Sequence, residues 1–125
     1  MGEALTYFFD TYAFFEIACG NEAYDPYVEN AVSVTNEFNL YELHYNLLRR
    51  YGEKIANEYY DIFAEYRTAV SPEDIKAASA FRLERKRDDI SYADALGYVM
   101  AQRRGMKFLT GDKAFKDLPN VEFVR

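Results

Sequence analysis

The chain has 125 residues, 50% of them hydrophobic, with a formal net charge of −6. Such a length and apolar content suit one core-forming domain over residues 1–125 and exclude a disordered tail. No apolar run reaches the length of a membrane span, and one cysteine, Cys19, excludes an internal disulfide or a cysteine zinc cluster.

The elements alternate along the chain. Ala4-Leu5-Thr6-Tyr7-Phe8-Phe9 is an aromatic run of strand length ending at Asp10. A helix is expected from Thr11 to Cys19, stopped by Gly20, with Cys19 a small buried hydrophobe at its end. Tyr24 to Glu29 suits a short helix, since Pro26 is tolerated in a first turn. Val32-Ser33-Val34-Thr35 predicts a second strand. Leu40, Leu43, Leu47, Leu48 and Tyr51 form an apolar stripe on a helix from Asn39 to Tyr51, closed by Gly52. Ile55, Tyr59, Ile62, Phe63 and Tyr66 mark another amphipathic helix. Ser71-Pro72 opens a further one, with Ser71 as cap and Pro72 first in the helix. Ser91 begins the last helix, which ends near Gly105. Met106 to Thr110 and Val121 to Val124 are the closing strands.

Strands separated by helices predict an α/β domain with a mainly parallel sheet. Ligands bind such sheets at the C-terminal ends of the strands. Asp10 follows the first strand directly, and Asp112 lies two residues beyond Thr110. Asp94 sits in the first turn of the helix leading into that strand, and Glu42 lies early in the helix after the second. Four carboxylates thus converge on one edge. Each also has a plain structural explanation: Asp10 and Asp112 as caps, Asp94 as half of a capping box with Ser91, Glu42 as a solvated helix residue. Capping, however, does not require all four to meet. Clustered oxygen ligands would select a hard cation such as Mg²⁺ or Mn²⁺, able to activate water for attack on a phosphate.

A net negative charge argues against nucleic acid, but its distribution is uneven. Residues 1–66 carry 12 acids against 3 bases, a net of −9, whereas residues 67–125 carry 9 acids against 12 bases, a net of +3. Arg82, Arg85, Lys86 and Arg87 precede Asp94, and Lys113 and Lys116 follow Asp112. These are candidates for phosphate contacts, although most of the run reads as a solvated helix face. The single histidine, His44, points to another side of the helix from Glu42 and is not assigned general-base work.

The segments Tyr7-Phe8-Phe9-Asp10-Thr11, Asn39-Leu40-Tyr41-Glu42-Leu43, Ile90-Ser91-Tyr92-Ala93-Asp94-Ala95 and Phe108-Leu109-Thr110-Gly111-Asp112 resemble the four acidic motifs of PIN domains. Their order and spacing match, and the resemblance spans nearly the whole chain. It is greatest to VapC-like toxins of toxin–antitoxin pairs. Glu42 is preferred to Glu37 because Leu40 and Leu43 bracket it. Thr110 matches a position that often carries Ser or Thr, while Tyr12 departs from the small polar residue common there. The resemblance implies a three-layer α/β/α fold and a cytoplasmic endoribonuclease dependent on Mg²⁺ or Mn²⁺. Asp10, Glu42, Asp94 and Asp112 would be its metal-holding, catalytic residues, and RNA its substrate. It further implies a homodimer and an antitoxin partner, the latter seated on Tyr59, Phe63, Tyr66 and Tyr45. An RNA-processing PIN nuclease without an antitoxin and a non-catalytic PIN-like binding module remain alternatives. A phosphatase of the haloacid-dehalogenase type would need a second aspartate where Tyr12 stands.

Overall fold

Apolar runs too short for helices pair edge to edge, and the helices between them force parallel crossovers. The computed structural model describes residues 5–125. Ala4, the expected first strand residue, and the rest of Met1–Ala4 lie outside that range. Strand β1 (Leu5–Phe9) pairs in parallel with β2 (Ala31–Val34) on one side and β3 (Lys107–Thr110) on the other. Strand β4 (Val121–Phe123) adds beyond β3, giving the order β2-β1-β3-β4. The expected Thr35 falls outside β2, where it forms a lone bridge to Arg67.

Strand alternation divides the core between two faces. Tyr7 and Phe9 turn toward α1 (Thr11–Ala18), α3 (Glu37–Tyr51) and α4 (Glu53–Ala64), where they pack with Phe14, Leu40, Leu43, Leu47 and Phe63. Phe8 turns the other way, toward α5 (Pro72–Glu84) and α6 (Tyr92–Arg103), among Tyr98, Met100, Phe108 and Phe115. With the short α2 (Asp25–Asn30), the result is a three-layer α/β/α domain with an all-parallel sheet. Among the described residues, no helix is long and apolar enough to cross a membrane.

Several expectations shift in detail. Helix α3 starts at Glu37, because the buried Asn36 side chain accepts the Asn39 N–H at 2.9 Å and caps it. Leu48 and Tyr51, expected on its apolar stripe, are exposed. In α4 the inward row is Ala56, Tyr59, Tyr60 and Phe63, while Ile55, Ile62 and Tyr66 face outward. Phe63 stacks on Phe14 with ring centroids 4.3 Å apart, so it belongs to the core and not to a docking surface. Cys19 is exposed rather than buried. The last turn of α1 ends at the solvent edge, where Cys19 Sγ lies 3.1 Å from the Tyr51 hydroxyl.

Two devices lock α6 in place. The buried Asp74 of α5 accepts from Arg103 Nε at 3.0 Å and Arg104 Nη2 at 2.8 Å. Gly97 allows α6 to lie directly on the sheet. A Cβ there would stand 2.7 Å from the Phe8 ring, 3.1 Å from Asn39 Oδ1 and 3.2 Å from the Phe108 ring. Gly97→Ala is therefore expected to destabilise the fold by about 1–3 kcal/mol through overpacking, despite alanine's better helix propensity. Urea unfolding measures the balance; a gain in stability would show that α6 has room to shift.

Candidate active site

The register β2-β1-β3 sets the ends of β1 and β3 side by side, and the acidic residues emerge there. Asp10, immediately after β1, is fully buried. Its Oδ1 accepts the Ala13 N–H at 2.8 Å, capping α1, and its Oδ2 accepts a short hydrogen bond from the Thr110 hydroxyl. Thr110 Oγ1 in turn accepts the Asp112 N–H at 3.0 Å. One threonine thus ties the first carboxylate to the loop that carries the last. Burial, and then the charge of Asp94, raise the Asp10 carboxyl well above the usual carboxylate range. Its hydrogen bonds oppose that rise, and Asp112 adds a smaller push upward.

Asp112 caps a short 3₁₀ turn, Lys113–Phe115, its Oδ1 accepting the Ala114 N–H at 3.0 Å. Capping by Asp10 and Asp112 is therefore real, and both still stand at the acidic edge. Gly111 between Thr110 and Asp112 permits a close approach: a Cβ there would run into the Tyr12 ring and the Val124 carbonyl. The Tyr12 ring fills this space.

Asp94 gives the sharper distinction. At the start of α5, Ser71 and Asp74 form a complete capping box, with Ser71 Oγ accepting the Asp74 N–H and Asp74 Oδ2 accepting the Ser71 N–H. At the start of α6 only half of that arrangement exists. Ser91 Oγ accepts the Asp94 N–H at 3.1 Å, but the Asp94 carboxylate makes no return bond. Among the described residues, its Oδ1 is buried with no hydrogen-bond partner. Burial, then the charges of Glu42 and Asp112, push the Asp94 carboxyl up to about 7, while the Ser91 hydroxyl pulls the other way. A buried acceptor without a donor costs free energy, so this carboxylate is not there for capping.

Glu42 projects from α3 into the same region. Together with Asp94, Asp112, Glu16, Arg49 and Arg50, it lines a cavity of about 660 Å³. Glu37 instead is exposed and lines cavities away from these acids. His44 also lies elsewhere, 2.7 Å from Asn57 Oδ1 in a cavity of about 630 Å³ between α3 and α4. The basic run is misplaced as a set of phosphate contacts. Arg85, Lys86 and Arg87 line a separate depression with Glu84 and Asp88, leaving Arg49 and Arg50 as the cations at the acidic cavity.

Sequence reasoning also missed Asn39. Its Nδ2 donates to Thr11 Oγ1 at 3.2 Å, and Thr11 donates to the Asn39 carbonyl at 3.2 Å, pinning α3 to the residue after Asp10. The available signal was an amide beside Leu40 on the apolar face of α3. Among the described residues, no three His, Cys, Asp or Glu side chains close into the geometry of a metal site. The donor set is nonetheless all oxygen, and the unpartnered Asp94 Oδ1 is an oxygen that a cation would satisfy. The residues fit a hard divalent ion.

A family model described as the PIN domain matches residues 7–121. The chain belongs to the PIN-domain family. Among solved structures, Mycobacterium tuberculosis VapC20, described as a Sarcin-Ricin loop cleaving toxin, superposes with a TM-score of 0.81. Identity is 20% over 95% of this chain and 98% of that one. A toxin–antitoxin complex from Klebsiella pneumoniae gives 0.72 at 18% identity, over 93% of this chain and 95% of that one. VapBC2 from Rickettsia felis, bound to a DNA fragment from its promoter, gives 0.67 at 18% identity over 96% and 98%. At such identities the likeness is one of fold. No curated protein sequence matches the chain.

The PIN-domain acids have a measurable signature in metal-free buffer. A carboxyl whose folded pKa exceeds its unfolded value stabilises the fold below the unfolded pKa and loses that contribution as pH rises through the folded one. For Asp94 the window runs from about pH 4 to about 7. Asp74, held low by its arginines, keeps its contribution throughout this window. Urea midpoints in EDTA are expected to fall between pH 4.5 and 7.5, and Asp94→Asn to flatten the fall by on the order of 1–3 kcal/mol. An unchanged slope in the variant would remove Asp94 from the repelling cluster.

Proposed function

We propose that this PIN domain is a metal-dependent endoribonuclease, hydrolysing RNA phosphodiester bonds as the toxin of a VapBC-type pair. The observation that carries this reading is the buried, donorless carboxylate oxygen of Asp94, beside a cavity shared with Glu42 and Asp112. Asp10, Glu42, Asp94 and Asp112 would hold Mg²⁺ or Mn²⁺, the hard cations that carboxylates select. When bound, such an ion lowers the pKa of a coordinated water and stabilises charge on phosphoryl oxygens.

The chain's own residues supply position and charge. Thr110 and the Ala13 N–H hold both oxygens of Asp10 in one orientation; fully buried, it lies behind the cavity wall that Glu42, Asp94 and Asp112 line. Asp94 is anchored through its backbone to Ser91 and leaves its carboxylate free for a ligand. Arg49 and Arg50 flank the opening, where they would neutralise RNA phosphates next to the cleaved bond. The cavity lining contains no histidine or cysteine, and His44 is engaged with Asn57. Hydrolysis by water, not a covalent enzyme intermediate, suits that inventory.

The carboxylate test uses Asp94→Asn, which keeps the shape and a possible cap while removing the charge. Mg²⁺ or Mn²⁺ at a few times its dissociation constant should stabilise the unmodified protein by on the order of 1 kcal/mol and the variant by much less. RNA cleavage should require the metal and nearly vanish in the variant. Equal melting shifts with retained cleavage would place the metal site elsewhere. Absence of cleavage in the unmodified protein would leave a binding module.

The partners follow from the same reading, supported by toxin–antitoxin complexes of the same fold. We expect a homodimer and an antitoxin segment docked on the exposed side of α3 and α4, through Tyr45 and Tyr66 but without Phe63. Light scattering at micromolar concentration should give twice the chain mass. Amides of these two helices should gain hydrogen-exchange protection with the antitoxin. A monomer removes the first expectation, and unchanged exchange removes the second.

A further inference from the structure

Among the described residues, two buried side-chain oxygens lack a hydrogen-bond donor: Asp94 Oδ1, at the acidic cavity, and Asn39 Oδ1. The first has a use in the acidic site, whereas the second has none in the fold. Asn39 is fully buried on α3. The Thr11 hydroxyl gives its one hydrogen to the Asn39 carbonyl, so toward the Asn39 side chain it can only accept, and Asn39 Nδ2 donates to it. That bond orients the amide, with its nitrogen toward Thr11 and its oxygen toward α6. A Cβ on Gly97 of α6 would stand 3.1 Å from Oδ1.

Helices α3 and α6 meet along a seam that advances three residues at a time. Asn36 Nδ2 donates to Met100 Sδ, Asn39 Oδ1 faces Gly97, and Glu42 borders the same cavity as Asp94. Residues three apart share a helix face. Asn39 Oδ1 therefore lies one turn from Glu42 along α3 and one turn from Asp94 along α6. Thr11, to which its amide is bonded, is itself part of the cavity wall.

We propose that Asn39 is a positioning residue of the metal site: its side-chain oxygen accepts a hydrogen bond from a water carried by the cation that Asp94 holds. The proposal rests on the metal-dependent reading and adds a neutral oxygen to its four carboxylates. A small hard ion such as Mg²⁺ keeps several of its waters when it binds protein, and groups around the direct ligands fix the geometry of the site. A neutral acceptor takes the hydrogen of such a water without adding to the charge of the cluster. The fold by itself does not call for this oxygen. Pinning α3 to Thr11 uses the amide nitrogen alone, and packing is met by leucine at the neighbouring core positions Leu40 and Leu43. A buried acceptor left without a donor costs free energy in the metal-free protein, which a hydrated cation would return.

The test reads metal binding without reference to activity. Free Mn²⁺ is followed by electron paramagnetic resonance as the full chain is titrated in. Asn39→Leu should weaken Mn²⁺ binding by roughly 10–100-fold, while Asn39→Asp, which keeps the oxygen, should retain it. Thr11→Val removes the pinning hydroxyl but spares the Asn39 oxygen, so it should cost far less than Asn39→Leu. A crystal structure of the unmodified protein with Mn²⁺ should place a water of the ion within hydrogen-bond distance of Asn39 Oδ1, which decides the matter even if Asn39→Leu does not fold. Equal losses in Asn39→Leu and Thr11→Val would mean that Asn39 acts by pinning α3. That result overturns the proposal, as do unchanged binding in Asn39→Leu, lost binding in Asn39→Asp, or a bound ion whose waters do not reach Asn39. If Mn²⁺ does not bind the unmodified protein at all, the metal-dependent reading itself falls, and Asn39 with it.

Discussion

Burial of carboxylates beside one another, away from water and without counter-charges, is the constraint on which this edge of the sheet depends. Asp10 lies wholly out of water, with Asp94 and Asp112 close enough for their charges to raise its pKa. Such a cluster persists only where the surrounding structure fixes its members. The fixing groups come from every layer: the Ala13 amide of α1, the Thr110 hydroxyl of β3 and the Ser91 cap of α6. The parallel register puts β1 and β3 next to each other, and without that adjacency Thr110 could not reach Asp10. The contrast with Asp74 shows what the cluster lacks. Asp74 is just as buried and also follows a serine cap, but two arginines and the Ser71 N–H surround it, and its carboxyl is held well below the usual range. Two aspartates in equivalent helix positions are thus driven in opposite directions by their neighbours. The one without counter-charges is the one at the cavity.

Helix α3 divides its surface among three tasks, as the 3.6-residue period allows. Leu40, Leu43 and Leu47 enter the core. Glu42, Asn46, Arg49 and Arg50 turn to the acidic cavity, and Phe38, Tyr41 and Tyr45 remain on the outside. Asn36 caps this helix and donates to Met100 Sδ of α6 at 3.3 Å, while Asn39 holds it to Thr11. The helix bearing Glu42 is therefore tied at its N-terminal end to α1, which follows Asp10, and to α6, which carries Asp94. A shift of α3 would move Glu42, the arginines and the aromatic face together.

This division also explains what could be seen in the sequence. Strand positions and the parallel sheet were legible, because short apolar runs between helical stretches carry local signals. Cap and ligand could not be told apart at Ser91–Asp94, since both use the same four-residue spacing. Only the missing return bond and the donorless Oδ1 separate them. The apolar stripe of α4 misled for a related reason: Ile55, Ile62, Phe63 and Tyr66 lie within one broad sector, and packing on Phe14 decides that Phe63 alone of these goes inside. The basic run was read mostly as a solvated helix face, and Arg85, Lys86 and Arg87 do lie apart from the acids. Arg82 is drawn to Tyr92 and the Ile90 carbonyl, and Arg85 to Asp88.

On the nuclease reading, an acidic chain would have to offset its own field near the RNA phosphates. Here the acids that face the cavity are the ones a divalent ion would neutralise, so the local charge is set by metal occupancy more than by the net −6. On that reading, Arg49 and Arg50 would act on phosphate only once the carboxylates beside them are screened. Metal binding and RNA binding should consequently reinforce each other at this edge of the sheet: each cation bound lowers the repulsion that the next phosphate meets. The metal-free protein, with Asp94 pushed up toward neutrality, instead relieves its repulsion by taking up protons. On the proposed reading, proton and metal would compete for the same oxygen.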